Sequence, residues 1–216
     1  MKNLHGRNAA TALTIVFLMC FGIVALHGGK EASDVWSYLK FAYKSVPVVL
    51  VVVGFFVSYA WKWGMFRGWL VLFPDLNGTW QGEIRSIWTD PVTLKGVAPI
   101  PVILTIRQSF LQTSCVMRTE EMVSRSFLAD FWIDGDHQIR KLGYSYHSEP
   151  KPTVERRSSP HDGTVVFELV DTPVTKLNGR YWTARSTTGE VELTFREKKL
   201  LEEFPKDFGT HPMRGN

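Results

Sequence analysis

Cysteine is nearly absent from this 216-residue chain: only Cys20 and Cys115 occur, in unlike surroundings. That excludes a disulfide framework and a cysteine-based metal site, and it fits a reducing compartment. Strong charge of one sign is lacking too. The net charge is +4, but residues 1–73 hold seven Lys/Arg and two Asp/Glu, which leaves 18 basic and 19 acidic residues for 74–216. So neutral a C-terminal part argues against a nucleic-acid polymer as partner, because such binding draws on many phosphate contacts from a basic surface. Catalytic signatures are missing as well. There is no G-x-S-x-G elbow and no Walker loop, and His137, His147 and His161 lack metal-ligand spacing with each other or with Cys115. Glu120 and Glu121 are adjacent, so on a strand they point to opposite faces. Asp134 and Asp136 read as turn residues. The expectation is a binding protein without catalytic residues, metal or resident cofactor.

What is present begins with two apolar runs. From Ala9 to Leu26, "AATALTIVFLMCFGIVAL" carries no charge, and Thr11 and Thr14 are its polar members. As a helix it spans about 27 Å, close to the bilayer core. Lys2 and Arg7 would also suit the n-region of a cleaved signal, but "HGGKEASDVW" offers no clear small-x-small cleavage site. A second run, "VPVVLVVVGFFVSYAW" at 46–61, follows closely, so two retained transmembrane helices are expected, at about 9–26 and 46–61. Trp36, Tyr38, Phe41 and Tyr43 before the second run, and Tyr59, Trp61, Trp63 and Trp69 after it, suit membrane interfaces. Neither run has a central ionisable residue of the kind that marks an ion pathway. Two crossings put both termini on one side. A large thiol-containing domain without disulfides makes that side the cytoplasm.

After Pro74 the hydrophobic period changes to two. Eight strands are expected, at 78–88, 99–109, 111–119, 122–133, 137–147, 164–171, 179–186 and 190–197, with turn signals at "DGD" 134–136 and "TTG" 187–189. Eight short, mostly antiparallel strands suggest an up-and-down barrel or a sandwich; nearly all connections are of hairpin length, which favours the barrel, whose interior side chains fill or which holds one small ligand. The exception is the loop 148–163, rich in Pro, Ser and charge, which reads as a flap. The membrane part is thus 1–73 and the barrel 74–198, with 199–216 a poorly ordered or capping tail.

Alternation aligns Trp80, Gly82, Ile84, Ser86 and Trp88 on one face of the first strand, Leu142, Tyr144 and Tyr146 in the fifth, and Tyr181, Thr183 and Arg185 in the seventh. If these faces converge, the lumen holds aromatic rings, hydroxyls and one guanidinium. Each residue also has a plainer reading. Trp80 suits a barrel floor, and the tyrosines suit packing with hydroxyls at the rim. Arg185 suits a salt bridge to Glu83 or Glu168, or simple solvent exposure. The binding reading is that a desolvated guanidinium grips phosphate bidentately while rings beside it stack nucleobases.

The apolar spans, "DLNGTWQGEI" opening the first strand, "YSYHSEP" in the fifth, "HDGT" before the sixth and "LNGRYWTARSTTGEVEL" near the end resemble the two-transmembrane, β-strand-rich effectors encoded beside bacterial CD-NTases. Those effectors belong to the cyclic-oligonucleotide-based antiphage signalling systems, CBASS. The resemblance implies a lipocalin-like barrel that senses a cyclic dinucleotide made by a cognate CD-NTase. It further implies helices that assemble into homo-oligomers and disrupt the lipids of the inner membrane, killing the cell. Both readings converge on Tyr181, Thr183 and Arg185; Trp80, Ser86, Arg107, Tyr144 and Tyr146 are the further ligand-binding candidates. The alternative is a membrane-tethered carrier or sensor of a small apolar ligand, which an all-aliphatic lumen would favour.

Overall fold

The computed structural model describes residues 4–27, 35–89, 94, 96–134 and 137–212. The chain divides into two compact units, 1–73 and 74–216. In the first, helix α1 (Gly6–His27) and helix α2 (Val35–Ser58) lie against each other, with Cys20, Phe41 and Ser45 buried. Both are long and apolar enough to cross a membrane. The hydroxyls that would be costly in lipid are satisfied within the helices: Thr11 donates to the Arg7 carbonyl (3.0 Å), Thr14 to Ala10 (2.9 Å) and Ser45 to Phe41 (2.7 Å).

The second helix does not coincide with the apolar run expected to cross at about 46–61. It starts at Val35 rather than 46, takes in Lys40 and Lys44, and ends at Ser58 with Pro47 inside it. The lysines look like a boundary in sequence, yet lysine is itself a good helix former, "VWSYLKFAY" holds no Gly or Pro to break a helix, and long lysine stems can reach outward to polar surroundings. Two single 3₁₀ turns follow, Ala60–Lys62 and Gly64–Phe66. Trp61 is buried here against Phe73 (centroids 5.3 Å apart) rather than displayed as an interfacial ring. Leu4 bridges to Val71, and Asn8 donates to the Trp69 carbonyl (2.6 Å), so the start of α1 and the segment after α2 meet at one end of the helical hairpin.

The second unit is a closed antiparallel barrel of eight strands in sequential order: β1 (Gly78–Ser86), β2 (Ile100–Gln108), β3 (Thr113–Arg118), β4 (Met122–Asp134), β5 (Ile139–Pro150), β6 (His161–Glu168), β7 (Lys176–Thr183) and β8 (Thr188–Glu197). Pairing of β1 with β8 closes it and leaves no open edge between first and last strands. The fold class is the expected one. Of the "DGD" turn, Gly135 and Asp136 lie outside the described residues.

The lumen is filled at one end and hollow at the other. Trp80, Leu104, Ile106, Leu142, Phe167, Leu177 and Leu193 are each at most 1% exposed and pack the closed end. Trp80 donates its indole N–H to the Leu76 carbonyl (3.0 Å) and meets Phe195 edge-on. Toward the other end the cross-strand partners of the large rings become glycine: Tyr146 pairs with Gly163, and Tyr181 with Gly189. A Cβ on Gly163 would sit 2.4 Å from the Tyr146 hydroxyl, and one on Gly189 would sit 2.6 Å from the Tyr181 ring. The two tyrosines thus lie flat along the wall, over glycines, and leave the middle open.

Between β8 and Pro212 the chain lies against the barrel. Thr79, Ile103 and Thr105 alternate onto the outer face yet are buried, because the C-terminal segment crosses them. Thr79 donates to the Lys199 carbonyl (2.6 Å) and accepts from the Leu201 N–H (3.0 Å), and Thr105 donates to the Leu201 carbonyl (2.9 Å). Farther on, Phe204 meets Phe208, and Arg196 lies over the Phe208 ring. The segment has no periodic signal of its own; outward-facing threonines on other strands order it.

Candidate functional site

The open end holds a cavity of about 560 Å³, within the range of about 300 to 1,000 Å³ typical of small-molecule sites. Its deep wall is apolar: Ile84, Ile100, Met117, Val165 and Val191. Polar groups collect toward the mouth. Ser124 and Ser148 share a hydrogen bond (2.7 Å), Ser86 bonds the Tyr181 hydroxyl, and Thr183 and Thr187 join their hydroxyls at 2.6 Å. Trp88, just past β1, adds an aromatic surface.

Five of the eight candidate residues line this cavity: Ser86, Tyr146, Tyr181, Thr183 and Arg185. The other three do not. Trp80 belongs to the closed end. Tyr144 is buried one layer below, 5.9 Å from the Tyr146 ring and 6.2 Å from Phe167 by centroids. Arg107 is exposed on the outer wall, because Val102, Leu104 and Ile106 occupy the inward parity of β2.

Arg185 reaches the cavity by a different route from the strand alternation. β7 ends at Thr183, and the reversal runs through 184–187 instead of beginning at Thr187. Ser186 takes a left-handed conformation (φ 59°), and the Thr183 N–H bonds the Thr187 carbonyl (3.0 Å) across the turn. From this turn the Arg185 guanidinium donates to Ser158 Oγ at 3.2 Å. The salt-bridge reading is excluded: Glu83 pairs with Arg85 (3.8 Å) and Glu168 with Lys141 (3.2 Å), and no carboxylate lies within ion-pairing distance of Arg185 among the described residues. Burial lowers its pKa, while neighbouring Tyr146 and Tyr181 oppose that shift. Burial likewise pushes Tyr146 up to about 12 and raises Tyr181, so both phenols stay neutral at pH 7. Arg185 is itself exposed, so the mouth presents a solvated cation that no described carboxylate pairs, beside neutral aromatic rings.

The rest of the mouth was not foreseen. Strands β5 and β6 extend to Pro150 and from His161, so the expected flap shrinks to 151–160. Turns closed by Val154 N–H to the Lys151 carbonyl (3.0 Å) and Arg157 N–H to Val154 (3.1 Å) bring Val154, Arg157 and Ser158 over the opening. Glu120 and Glu121 sit in the β3–β4 turn rather than on opposite faces of a strand. Glu121 lines the cavity, and Glu120 accepts the His211 backbone N–H (2.6 Å). His161 also lines it, its pKa lowered by burial first and by nearby Arg185 and His147. Ser148 was within reach of the sequence, since it continues the parity of Tyr144 and Tyr146. No periodicity marks Arg157 or His211. Among the described residues no three His, Cys, Asp or Glu side chains form a metal-sized cluster.

Comparison with known proteins bears on the barrel as a domain. The chain is 25% identical over 185 residues to CD-NTase-associated protein 15 of Staphylococcus schleiferi, covering 83% of this chain and 90% of that protein. Residues 71–195, over half the chain and spanning the barrel from before β1 almost to the end of β8, match the model of the Cap15 cyclic dinucleotide receptor domain. A barrel of this topology, hollow at one end and matched along nearly its whole length, places the chain in the Cap15 cyclic dinucleotide receptor family.

Proposed function

We propose that this protein is a CBASS effector whose barrel binds a cyclic dinucleotide made by a cognate CD-NTase. Arg185 takes a phosphate, Tyr146 and Tyr181 lie along the bases, and Ser86 and Thr183 supply hydroxyls. The observation that carries this reading is the Arg185 guanidinium, with no described carboxylate as its partner, beside neutral tyrosines at the mouth of a cavity whose deep wall is apolar. Phosphate supplies the missing negative charge in a geometry that suits the guanidinium fork. Stacking on aromatic rings contributes about 1 to 3 kcal/mol per base.

In this reading the helices are the output. Leu13, Ile15, Leu18, Leu50 and Val51 expose apolar surface that suits lipid or further copies of the chain. On ligand binding the helices assemble into homo-oligomers that disrupt the inner membrane and kill the infected cell. Both termini and the barrel are cytoplasmic. The meeting of Leu4 with Val71 fits termini on one side, and the free thiols of Cys20 and Cys115 fit a reducing compartment.

The aliphatic wall keeps the carrier reading in view, and one titration separates the two. Calorimetry of residues 74–216 should give saturable heat with a cyclic dinucleotide and none with a fatty acid; the reverse pattern makes the barrel an apolar carrier. The same fragment should fold alone, since its core is complete without residues 1–73. Expressed beside an active cyclic-nucleotide synthase, it should leave cells viable where the full chain kills them. Full-strength killing by the fragment would overturn the division of labour.

A further inference from the structure

A carboxylate at the mouth of a site for an anion needs a physical explanation, and the three connections around the opening supply one. Glu121 comes from the β3–β4 turn, Arg157 from the β5–β6 loop and His211 from the C-terminal segment; all three line the cavity. The Glu121 side chain is only 12% exposed. One of its oxygens accepts from Arg157 Nη2, and the other lies 3.3 Å from His211 Nδ1. Carboxylate and phosphate compete for the same donors of a guanidinium fork. Glu121 thus occupies on Arg157 the position that a ligand phosphate would take.

We propose that Arg157 is a second phosphate-binding residue of this cavity, and that Glu121 occupies its guanidinium until the ligand displaces it; this rests on the cyclic dinucleotide reading above. A cyclic dinucleotide carries two phosphodiester anions, and Arg185 faces only one of them. The two arginines already share a boundary: Ser158, next in chain to Arg157, accepts the Arg185 hydrogen bond. When phosphate takes the Arg157 donors, Glu121 keeps His211 at its other oxygen, so its carboxylate is not stranded. The exchange also gives selectivity. A monoanionic ligand satisfied by Arg185 alone gains nothing by breaking the Arg157–Glu121 pair, whereas a dianion does.

The test uses the full chain in detergent micelles, titrated with cyclic di-AMP, cyclic di-GMP and cyclic GMP–AMP, and follows whichever binds the unsubstituted chain most tightly. Arg157→Ala should weaken binding at least about tenfold, and Arg157→Lys by less, because it keeps the charge but loses the fork. Glu121→Gln should strengthen binding about threefold or more, because the competing charge is gone. The opposite signs are the signature of exchange. Binding by Arg157→Ala within about twofold of the unsubstituted chain overturns the proposal. So does a Glu121→Gln protein that binds as weakly as Arg157→Ala, since the pair is then a structural tie that shapes the loop. Thermal melts of each variant identify a folding defect, and if Arg157→Ala does not fold, the opposed shifts of Arg157→Lys and Glu121→Gln decide. Failure of all three nucleotides to bind the unsubstituted chain would instead overturn the cyclic dinucleotide reading itself.

Discussion

Arg185→Ala should lower affinity for the cyclic dinucleotide by about 2 to 3 kcal/mol, roughly 30- to 150-fold, with little change in thermal stability. The energy follows from what the residue lacks. No described carboxylate pairs with Arg185, and its guanidinium donates to the Ser158 hydroxyl, so the alanine strands no internal charge. The loss appears only when phosphate arrives and finds no charged donor. Because Arg185 sits on a turn and keeps solvent contact, the loss stays at the lower end of the roughly 2 to 5 kcal/mol that follows removal of one partner of a hydrogen-bonded charge pair. Titration and a melt on the same protein check both halves of the expectation. A folded variant with unchanged affinity removes Arg185 from the site.

The largest stability effect is expected from Trp80→Ala. Trp80 is 1% exposed, its indole N–H is bonded to Leu76, and its ring closes the packed end of the barrel against Phe195. Removing a buried ring of this size costs about 3 to 5 kcal/mol, from lost transfer energy and the cavity left behind. The Leu76 carbonyl, itself buried, loses its indole donor as well. For a domain of this size the midpoint should fall by roughly 10 to 20 °C. Trp80→Phe should lie between, since it keeps most of the ring and loses the hydrogen bond. Circular-dichroism melts measure this directly. A shift of only a degree or two, joined to weakened nucleotide binding, would return Trp80 to the ligand site.

How much of this was legible follows from where the information resides. Strand β4 was expected at 122–133 and runs to Asp134, because alternation and flanking turns are local properties of the chain. The β7–β8 reversal was misplaced because "TARST" alternates like a strand. What turns the chain is the left-handed Ser186 and the closure of Thr183 on Thr187, which no period reveals. Arg107 was recoverable: Val102, Leu104 and Ile106 already fix the inward parity of β2 and leave position 107 outside. The group at the mouth was not recoverable. Glu121, Arg157 and His211 are separated by tens of residues in connections without periodicity, and only barrel closure brings them together.

The path of the C-terminal segment has a practical side. After crossing the outer wall it brings His211 to the rim of the cavity, and Pro212 is exposed beside it. A probe attached at Pro212 itself stands at the doorway of the ligand. A bulky fluorescent protein or a long affinity tag placed there would share the space through which the nucleotide passes, and would dull the response it was added to follow. A small environment-sensitive dye at Pro212→Cys would instead turn the same geometry into a reporter, with the two native thiols buried and out of reach of the label.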